Sequence, residues 1–374
     1  MAFDYDLKRA GWFPAARRFQ DAIGHTSNFP LSYLYAIFLA LSGHVLGRKA
    51  SIRYASTLYP NSYVCLVGDS GIHHKSTAIN LGMEALGAEL SADFPPLSSV
   101  TTAQGLLQAM ANGGGMGLVK LDELATLLTK KKQDFAADLL SRIVELYACP
   151  AQAGTYTRHD PIEVSETFLT IISASTIEWL QASLTASDLM AGFGNRMTFV
   201  LGDPRKEKDW PQPPDFEEID FTVLTDFNAK CTLDEFAHEM WSDFYTKFQG
   251  RQKKDAAFVR VLAERIPEKV LKNCVVQAGW NRNAVIGTPT LEGAIDWGWY
   301  LYDCVERLTP AFEQGESQVL AEIKAGVSTR QDLYKRLSHR LDGEKIKRAL
   351  DALRWFGLIK EDKVTGKLTA IDNK

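Results

Sequence analysis

The hydrophobic positions divide the chain into helical ends and a central part in which strands and helices alternate. Residues 31–46 are apolar on nearly every helical face, which predicts a buried helix. Between residues 58 and 205, short β-rich runs alternate with helical segments, a pattern typical of a parallel sheet covered by helices. The predicted strands are 62–67, 97–100, 117–121, 168–172 and 197–201. The expected fold class is therefore α/β, with a five-stranded, mostly parallel sheet.

Changes in this pattern also predict the domain organisation. The four predicted segments are an N-terminal helical segment (1–57), an α/β core (58–205), a connection with a helical lid (206–313) and a C-terminal domain (314–374). The connection begins in a stretch with four prolines, and the lid includes a helix over 291–308 that Thr290 is expected to cap. In the last segment three short helices precede two short strands, which predicts a winged helix.

Composition and charge narrow the classes of function. The chain has 374 residues and a net charge of −4, which excludes a uniformly basic nucleic-acid coat. Residues 315–374 nevertheless carry 13 Lys and Arg against 9 Asp and Glu. The five cysteines are widely spaced and form no Cys/His pair, which argues against disulfides or zinc. Because no signal peptide or membrane-spanning run is visible, we expect a cytoplasmic protein without a membrane partner.

The most informative segment is YVCLVGDSGIHHKST, residues 63–77, where an apolar strand runs into a glycine-containing loop and a helix predicted over 75–90. A helix N-terminus, free backbone N–H groups, a lysine and a hydroxyl are what phosphate and Mg²⁺ binding require. The expected ATP ligands are Gly68, Gly71, His74, Lys75, Ser76 and Thr77. Two explanations remain for the spacing, in which Gly68 lies seven rather than six positions before the lysine: an extra loop residue or a shifted register.

A second strand, GLVKL at 117–121, ends in Asp122 and Glu123. A carboxylate at a strand end can orient Mg²⁺, and a second one can act as a general base toward water. We therefore expect Asp122, with Ser76, to hold Mg²⁺ and Glu123 to be the catalytic base. The alternative is that the two acids only cap the next helix.

Two further strand ends complete the expected site. Thr176 follows the strand 168–172 and is the first choice to hold the attacking water, with Ser175 in reserve; a helix-capping hydroxyl is the alternative. Arg196 precedes the last core strand and is expected to act as an arginine finger on a neighbouring subunit, the alternative being a surface ion pair.

Five residues in three basic segments are candidates for DNA contact. A predicted hairpin over 154–165 carries Arg158 and His159 at its tip, and Lys131 lies in a run of three lysines. Lys345 and Arg348 lie on the third helix of the predicted winged helix, which is either a duplex-DNA reader or a protein-docking module.

The order of GDSGIHHKST, LVKLDE, the hairpin, LTIISAST and GFGNR resembles the ATPase half of phage and plasmid primase–helicase proteins, within the AAA+/RecA-like P-loop class. The hairpin and the C-terminal domain are also similar to superfamily-three and minichromosome-maintenance helicases. The resemblance implies an ATP- and Mg²⁺-dependent replicative helicase that acts as a ring, expected to be a hexamer, on single-stranded DNA. It also implies a lid arginine on the γ-phosphate, for which Arg265 is the candidate, and a separate primase or initiator protein as partner.

Two other functions remain open on the same residues. One is a ring ATPase that remodels proteins or acts as a defence switch. The other is an initiator that binds DNA without hydrolysing ATP, because the spacing of the phosphate loop is unusual. Stimulation of hydrolysis by single-stranded DNA separates the helicase from both.

Overall fold

A computed structural model describes most of the chain. The described residues are 12–98, 100–124, 127, 134–155, 161–183, 192–202, 205, 210–217, 219–255, 257–308, 314–362 and 365–371. The strands are β1 Ala50–Arg53, β2 Thr57–Leu58, β3 Tyr63–Val67, β4 Met116–Leu121, β5 Gln152–Thr155, β6 Ile162–Ser165, β7 Phe168–Ser175, β8 Met197–Leu201, β9 Ala229–Leu233, β10 Val285–Ile286, β11 Ile359–Glu361 and β12 Leu368–Ala370.

Helices connect and cover these strands. They are α1 Pro14–Ile23, α2 Leu31–Leu46, α3 Lys75–Glu84, α4 Gly87–Asp93, α5 Ala103–Asn112, α6 Asp134–Leu146, α7 Ile177–Ser183, α8 Phe193–Arg196, α9 Glu235–Gln252, α10 Ala257–Ala263, α11 Ile266–Asn281, α12 Thr288–Arg307, α13 Gln314–Lys324, α14 Arg330–Leu337 and α15 Gly343–Trp355. None of the described helices is both long and apolar enough to cross a bilayer.

The central sheet is parallel, with strand order β4–β7–β3–β8. Strands β3, β7 and β8 are buried along their whole length, as expected for apolar runs covered on both faces. Leu97 adds a single parallel bridge to Val119 at the β4 edge. The predicted strand 97–100 is therefore reduced to one bridged residue, because the chain around it contains Pro95 and Pro96 and offers few apolar positions.

Helix α2 is the buried helix that the sequence predicted, since every residue after Leu31 is buried. It packs against β3, β7 and β8 and against α11, so the N-terminal segment and the lid share one hydrophobic core with the sheet. The N-terminal segment is not wholly helical, because it also contains β1 and β2.

Two local predictions were wrong. The predicted helix 75–90 is interrupted between Glu84, where α3 ends, and Gly87, where α4 begins with a φ of +76° that the interior of a helix does not accommodate. Thr290 does not cap α12, because that helix already starts at Thr288, with Pro289 in its first turn. A second sheet, of order β10–β9–β1–β2, was not predicted, since two of its strands have only two residues.

The C-terminal unit contains α13, α14 and α15 followed by the antiparallel pair β11–β12. It has its own core, with Val319, Leu333, Ile346 and Leu353 almost fully buried. The residue that follows its last helix also contacts the main body, because the ring centre of Phe356 lies 6.1 Å from that of Phe258. The predicted order of three helices and two strands is confirmed.

Candidate active site

The loop between β3 and α3 contains the residues expected to bind phosphate. Strand β3 ends at Val67 and α3 begins at Lys75, so residues 68–74 form a seven-residue connection. The extra residue therefore lies in the loop, and the lysine keeps its place at the helix start. His74 has a left-handed backbone with φ 44° and ψ 40°, a conformation that usually favours glycine. His74 thus takes the conformational place of the missing glycine.

Gly68 is required where the loop leaves the strand. A Cβ at this position would lie 2.5 Å from the ring of His73 and 2.6 Å from the hydroxyl of Tyr33. His73 is buried, and its Nδ1 accepts a hydrogen bond from the backbone N–H of Asp69 at 3.0 Å. The Tyr33 hydroxyl donates to the carbonyl of Val67 at 2.7 Å. The buried side chains of His73 and Tyr33 therefore pack against the loop.

Lys75 bends back over this loop. Its Nζ donates to the carbonyl oxygens of Gly68 at 2.5 Å and Asp69 at 3.1 Å. Partial burial lowers the pKa of Lys75, while the nearby carboxylates of Glu123 and Asp69 act in the opposite direction. The first intrahelical hydrogen bond of α3 runs from Ala78 to His74, so the N–H groups of residues 75–77 face the loop. Ser76 and Thr77 are exposed in this first turn.

Glu123 lies at the same edge of the sheet as the loop. Its Oε1 accepts a hydrogen bond from the Ser175 hydroxyl at 2.5 Å, and the Ser175 carbonyl accepts from the N–H of Gly68 at 3.2 Å. This follows from the parallel register, in which Ser175 pairs with Val67. Ser175 therefore connects the acidic strand end to the loop between β3 and α3.

The other strand-end residues occupy separate places. Asp122 follows β4 and is exposed. The Thr176 hydroxyl accepts from the N–H of Trp179 at 3.2 Å in the first turn of α7, which is the capping role weighed as its alternative. The contact with Glu123 at 2.5 Å is made by Ser175, the reserve candidate.

Arg196 lies at the opposite end of the sheet. Because β8 runs parallel to β3 and Met197 pairs with Tyr63, Arg196 is next to the start of β3, whereas the loop follows its end. Five residues at about 3.3 Å each separate the two places by roughly 16 Å. Arg196 therefore lies beyond the reach of the loop in its own chain.

The Arg196 guanidinium forms a hydrogen bond at the start of its own helix. Its Nη1 donates to the carbonyl of Gly192 at 2.7 Å, while its buried Nε has no partner among the described residues. Burial lowers the pKa of Arg196, and the neighbouring Arg265 adds to the decrease. Arg265 lies at this same end and pairs with Glu268 at 2.7 Å. The lid arginine of the prediction is therefore also remote from the loop of its own chain.

The structure describes two of the five candidate DNA contacts, Lys345 and Arg348. Arg158, His159 and Lys131 lie outside the described residues, although β5 and β6 pair antiparallel as the predicted hairpin requires. Lys345 and Arg348 are exposed around the start of α15. Each has a local acidic partner: Lys345 lies 3.5 Å from Asp342 and Arg348 lies 2.7 Å from Glu344.

Several residues around the site were not predicted. Tyr33 and His73 line the inner side of the loop, and Lys269 and Lys272 are buried at the far end of the sheet. The sequence does contain a sign of these lysines. The mostly apolar segment IPEKVLKNCVV has two lysines three residues apart, which is unusual for a buried helix.

The residue types at the loop are those that bind phosphate and Mg²⁺ in other proteins. The sequence offers Mg²⁺ one hydroxyl, Ser76, and one carboxylate, Asp122. Among the described residues there is no cluster of three or more His, Cys, Asp or Glu that could hold a metal ion. No protein-family model and no curated protein matches this chain.

Proposed function

We propose that the chain is an ATP hydrolase with a P-loop core. The observation that carries this proposal is the meeting of three strand ends: the loop after β3 leads to Lys75, β4 leads into Glu123, and Ser175 at the end of β7 contacts Glu123 and, in the loop, the N–H of Gly68. A nucleotide phosphate-binding loop beside an acid held by a hydroxyl is what phosphoryl transfer to water requires. In this proposal Leu97 marks the fifth strand of the core, and the C-terminal unit is a winged helix.

Each of these side chains has a proposed role in binding or hydrolysis. Lys75 and the N–H groups of residues 75–77 bind the phosphates, with Gly71 and His74 shaping the loop. Ser76 and Asp122 would hold Mg²⁺, whose charge would offset that of the phosphates. Glu123 accepts the proton of the attacking water, and the Ser175 hydroxyl orients Glu123. Arg196 completes the site of a neighbouring copy.

We propose further that the enzyme is a replicative DNA helicase of phage, plasmid or mobile-element type. The support is the order of motifs along the sequence, the antiparallel pairing of β5 and β6, between which the sequence carries Arg158 and His159, and the basic C-terminal unit with Lys345 and Arg348 exposed. Cationic side chains at a tip suit the phosphates of single-stranded DNA. A ring of copies and a separate primase or initiator belong to the same proposal.

Steady-state ATP hydrolysis by the full chain, with and without single-stranded DNA, tests this function. We expect hydrolysis that DNA stimulates, and a loss of about 10²-fold or more in Lys75→Ala, because the phosphate charge loses its main cation. Lys230→Ala is the matched control, since Lys230 is an exposed lysine on the second sheet. Glu123→Gln should retain nucleotide binding while it loses hydrolysis.

The outcomes separate the alternatives. Hydrolysis that requires Lys75 but ignores DNA favours a protein-remodelling ATPase or a defence switch. Nucleotide or DNA binding without hydrolysis favours the non-hydrolysing initiator. Equal activity in Lys75→Ala and Lys230→Ala would overturn the ATP site itself.

A further inference from the structure

A polar cavity of about 60 Å³ lies beside α11, at the end of the sheet opposite the phosphate loop. Its walls include Asn61, Tyr147, Arg265, Glu268 and Lys272. A water molecule needs about 10–15 Å³ by the same kind of measure, so the cavity holds several waters or one group of four to five heavy atoms. An apolar cavity of this size would be a packing defect, whereas these walls are rich in hydrogen-bond donors.

Two buried ammonium groups lie at this end of the sheet, Lys272 in the wall of the cavity and Lys269 three residues earlier on α11. Lys272 is 7% exposed; its Nζ donates to Asn61 Oδ1 at 2.7 Å and to the Asn61 carbonyl at 3.1 Å, and it lies 3.9 Å from the centre of the Tyr147 ring. Lys269 is 9% exposed and donates to the carbonyl of Met197 at 2.5 Å. Within the described part of the chain, neither ammonium forms an ion pair with a carboxylate. A buried cation without a counter-ion costs several kcal/mol, so structures rarely keep one without a use.

The charges around the cavity do not balance. The one carboxylate in its wall, Glu268, is already paired with Arg265, through Nη1 at 2.7 and 2.9 Å. Burial lowers the pKa of Lys272 to about 8 and that of Lys269 to about 7. The ionisable groups that face Lys272 are Tyr147, Cys149, Arg196, Arg265, Glu268 and Lys269. A dianion in the cavity would offset this excess of positive charge.

We propose that this cavity is an oxyanion-binding pocket, with Lys272 and Arg265 as its cationic ligands, that accepts a phosphate-type group. It is separate from the ATP site of the same chain and does not depend on ATP hydrolysis. Tetrahedral oxyanions fit because Lys272 supplies a charged donor in the wall of the cavity, and the Nε and Nη2 groups of Arg265 donate no hydrogen bond to other described residues. Free inorganic phosphate and a phosphate group carried by a nucleotide share this chemistry.

Proton uptake on binding is the readout that a merely structural role for Lys272 would not produce. An anion next to Lys272 favours its charged form and so draws a proton from the buffer when the pH is near 8. Inorganic sulfate is the first probe, since it has the same shape and does not itself titrate at this pH. Titration calorimetry in two buffers of different ionisation enthalpy measures the number of protons taken up.

The full chain carrying Lys75→Ala is the starting protein, because its phosphate loop is weakened. We expect it to bind sulfate and phosphate with proton uptake at pH 8, and expect Lys272→Met added to this background to weaken binding at least tenfold and abolish the uptake. Lys230→Met is the matched control and should change neither quantity. If Lys272→Met fails to fold, Arg265→Gln serves instead, with the same expected loss of affinity.

Three results would overturn the pocket: no binding by the starting protein, binding without proton uptake, or equal binding in Lys272→Met and Lys230→Met. A parallel titration with ATP distinguishes free inorganic phosphate from a phosphate group carried by a nucleotide. Competition between ATP and sulfate for the Lys272-dependent signal means that a nucleotide phosphate also enters the pocket, and independence means that it takes the free anion. Because binding is the readout, failure here leaves the ATP hydrolysis proposal untouched, and the reverse holds as well.

Discussion

His74 shows how a single residue can replace a motif residue by conformation rather than by chemistry. With φ at 44°, it occupies the left-handed region immediately before Lys75, where the usual phosphate loop has glycine. Any residue with a Cβ has a modest cost in conformational energy in this region, and this cost is smaller for histidine than for a β-branched residue.

We therefore predict that His74→Gly raises the free energy of unfolding by about 0.5–1 kcal/mol, because glycine adopts this conformation without strain. His74→Val should lower it by about 1–2 kcal/mol, since a β-branched side chain fits this region worst. Urea denaturation of the two variants beside the wild type provides the measurement. A lower stability in the glycine variant would mean that the imidazole itself holds the loop together.

The buried lysines predict a pH dependence of stability. Because burial lowers the pKa of Lys269 to about 7 and that of Lys272 to about 8, the unfolded chain binds more protons than the folded one above pH 7. The free energy of unfolding should therefore rise with pH, by an amount on the order of 2 kcal/mol between pH 7 and 8.5. Burial raises the pKa of Cys65 and Cys274, which opposes the trend at higher pH.

Chemical denaturation at several pH values, in wild type and in Lys269→Met, measures this dependence. The slope should be clearly smaller in Lys269→Met, because one of the two titrating groups is gone. Parallel slopes in the two proteins would show that Lys269 is charged to the same extent in the folded and unfolded states.

At the scale of elements, β7 is the strand that assembles the candidate site. It lies between β3 and β4, so its last residue borders the proposed phosphate loop on one side and the acidic strand end on the other. The two adjacent hydroxyls at its end have different partners, since Ser175 donates to Glu123 and Thr176 accepts from Trp179 in α7.

This difference predicts opposite outcomes for two similar substitutions. Ser175→Ala should lower kcat for ATP hydrolysis by about tenfold or more with little change in stability, because Glu123 loses the group that orients it. Thr176→Ala should lower the stability by about 1 kcal/mol through loss of the cap and leave kcat nearly unchanged. Steady-state kinetics and urea denaturation of both variants test this; a larger loss of kcat in Thr176→Ala would return the water-holding role to Thr176.

At the scale of the whole molecule, the proposed ATP site is divided between the two ends of one sheet. Lys75 and Glu123 lie at the carboxyl ends of the strands, while Arg196 and Arg265 lie near the amino ends. A separation of roughly 16 Å exceeds the reach of an arginine side chain. If Arg196 acts in hydrolysis, it does so on a second copy.

Mixing two inactive variants tests this arrangement. Lys75→Ala and Arg196→Ala should each hydrolyse ATP poorly alone, but a mixture regains activity, because an intact loop of one copy meets an intact arginine of the other. Random assembly of equal amounts restores about a quarter of the sites in a ring. Glu123→Gln mixed with Lys75→Ala is the control and should regain nothing, since both residues belong to the same half of the site. Absence of recovery in the first mixture would place Arg196 outside the reaction.

The sequence alone predicted the elements whose formation depends on the local pattern of hydrophobic residues. Hydrophobic periodicity predicted α2, the four main core strands and the C-terminal order of helices and strands, because burial on one or both faces leaves a periodic pattern. The run from 63 to 77 likewise placed the candidate loop and its lysine. Boundaries set by single backbone torsions, such as the break before Gly87 and the start of α12 at Thr288, were missed.

Only the tertiary structure decided which of these residues meet. The parallel register brings Ser175 to Glu123 although 52 positions separate them, and it sends Arg196 to the opposite end of the sheet. Burial of Lys269 and Lys272 likewise depends on α11 packing against the start of the sheet. Register and burial are set by contacts between distant segments, and these long-range contacts leave no periodic trace in the local sequence.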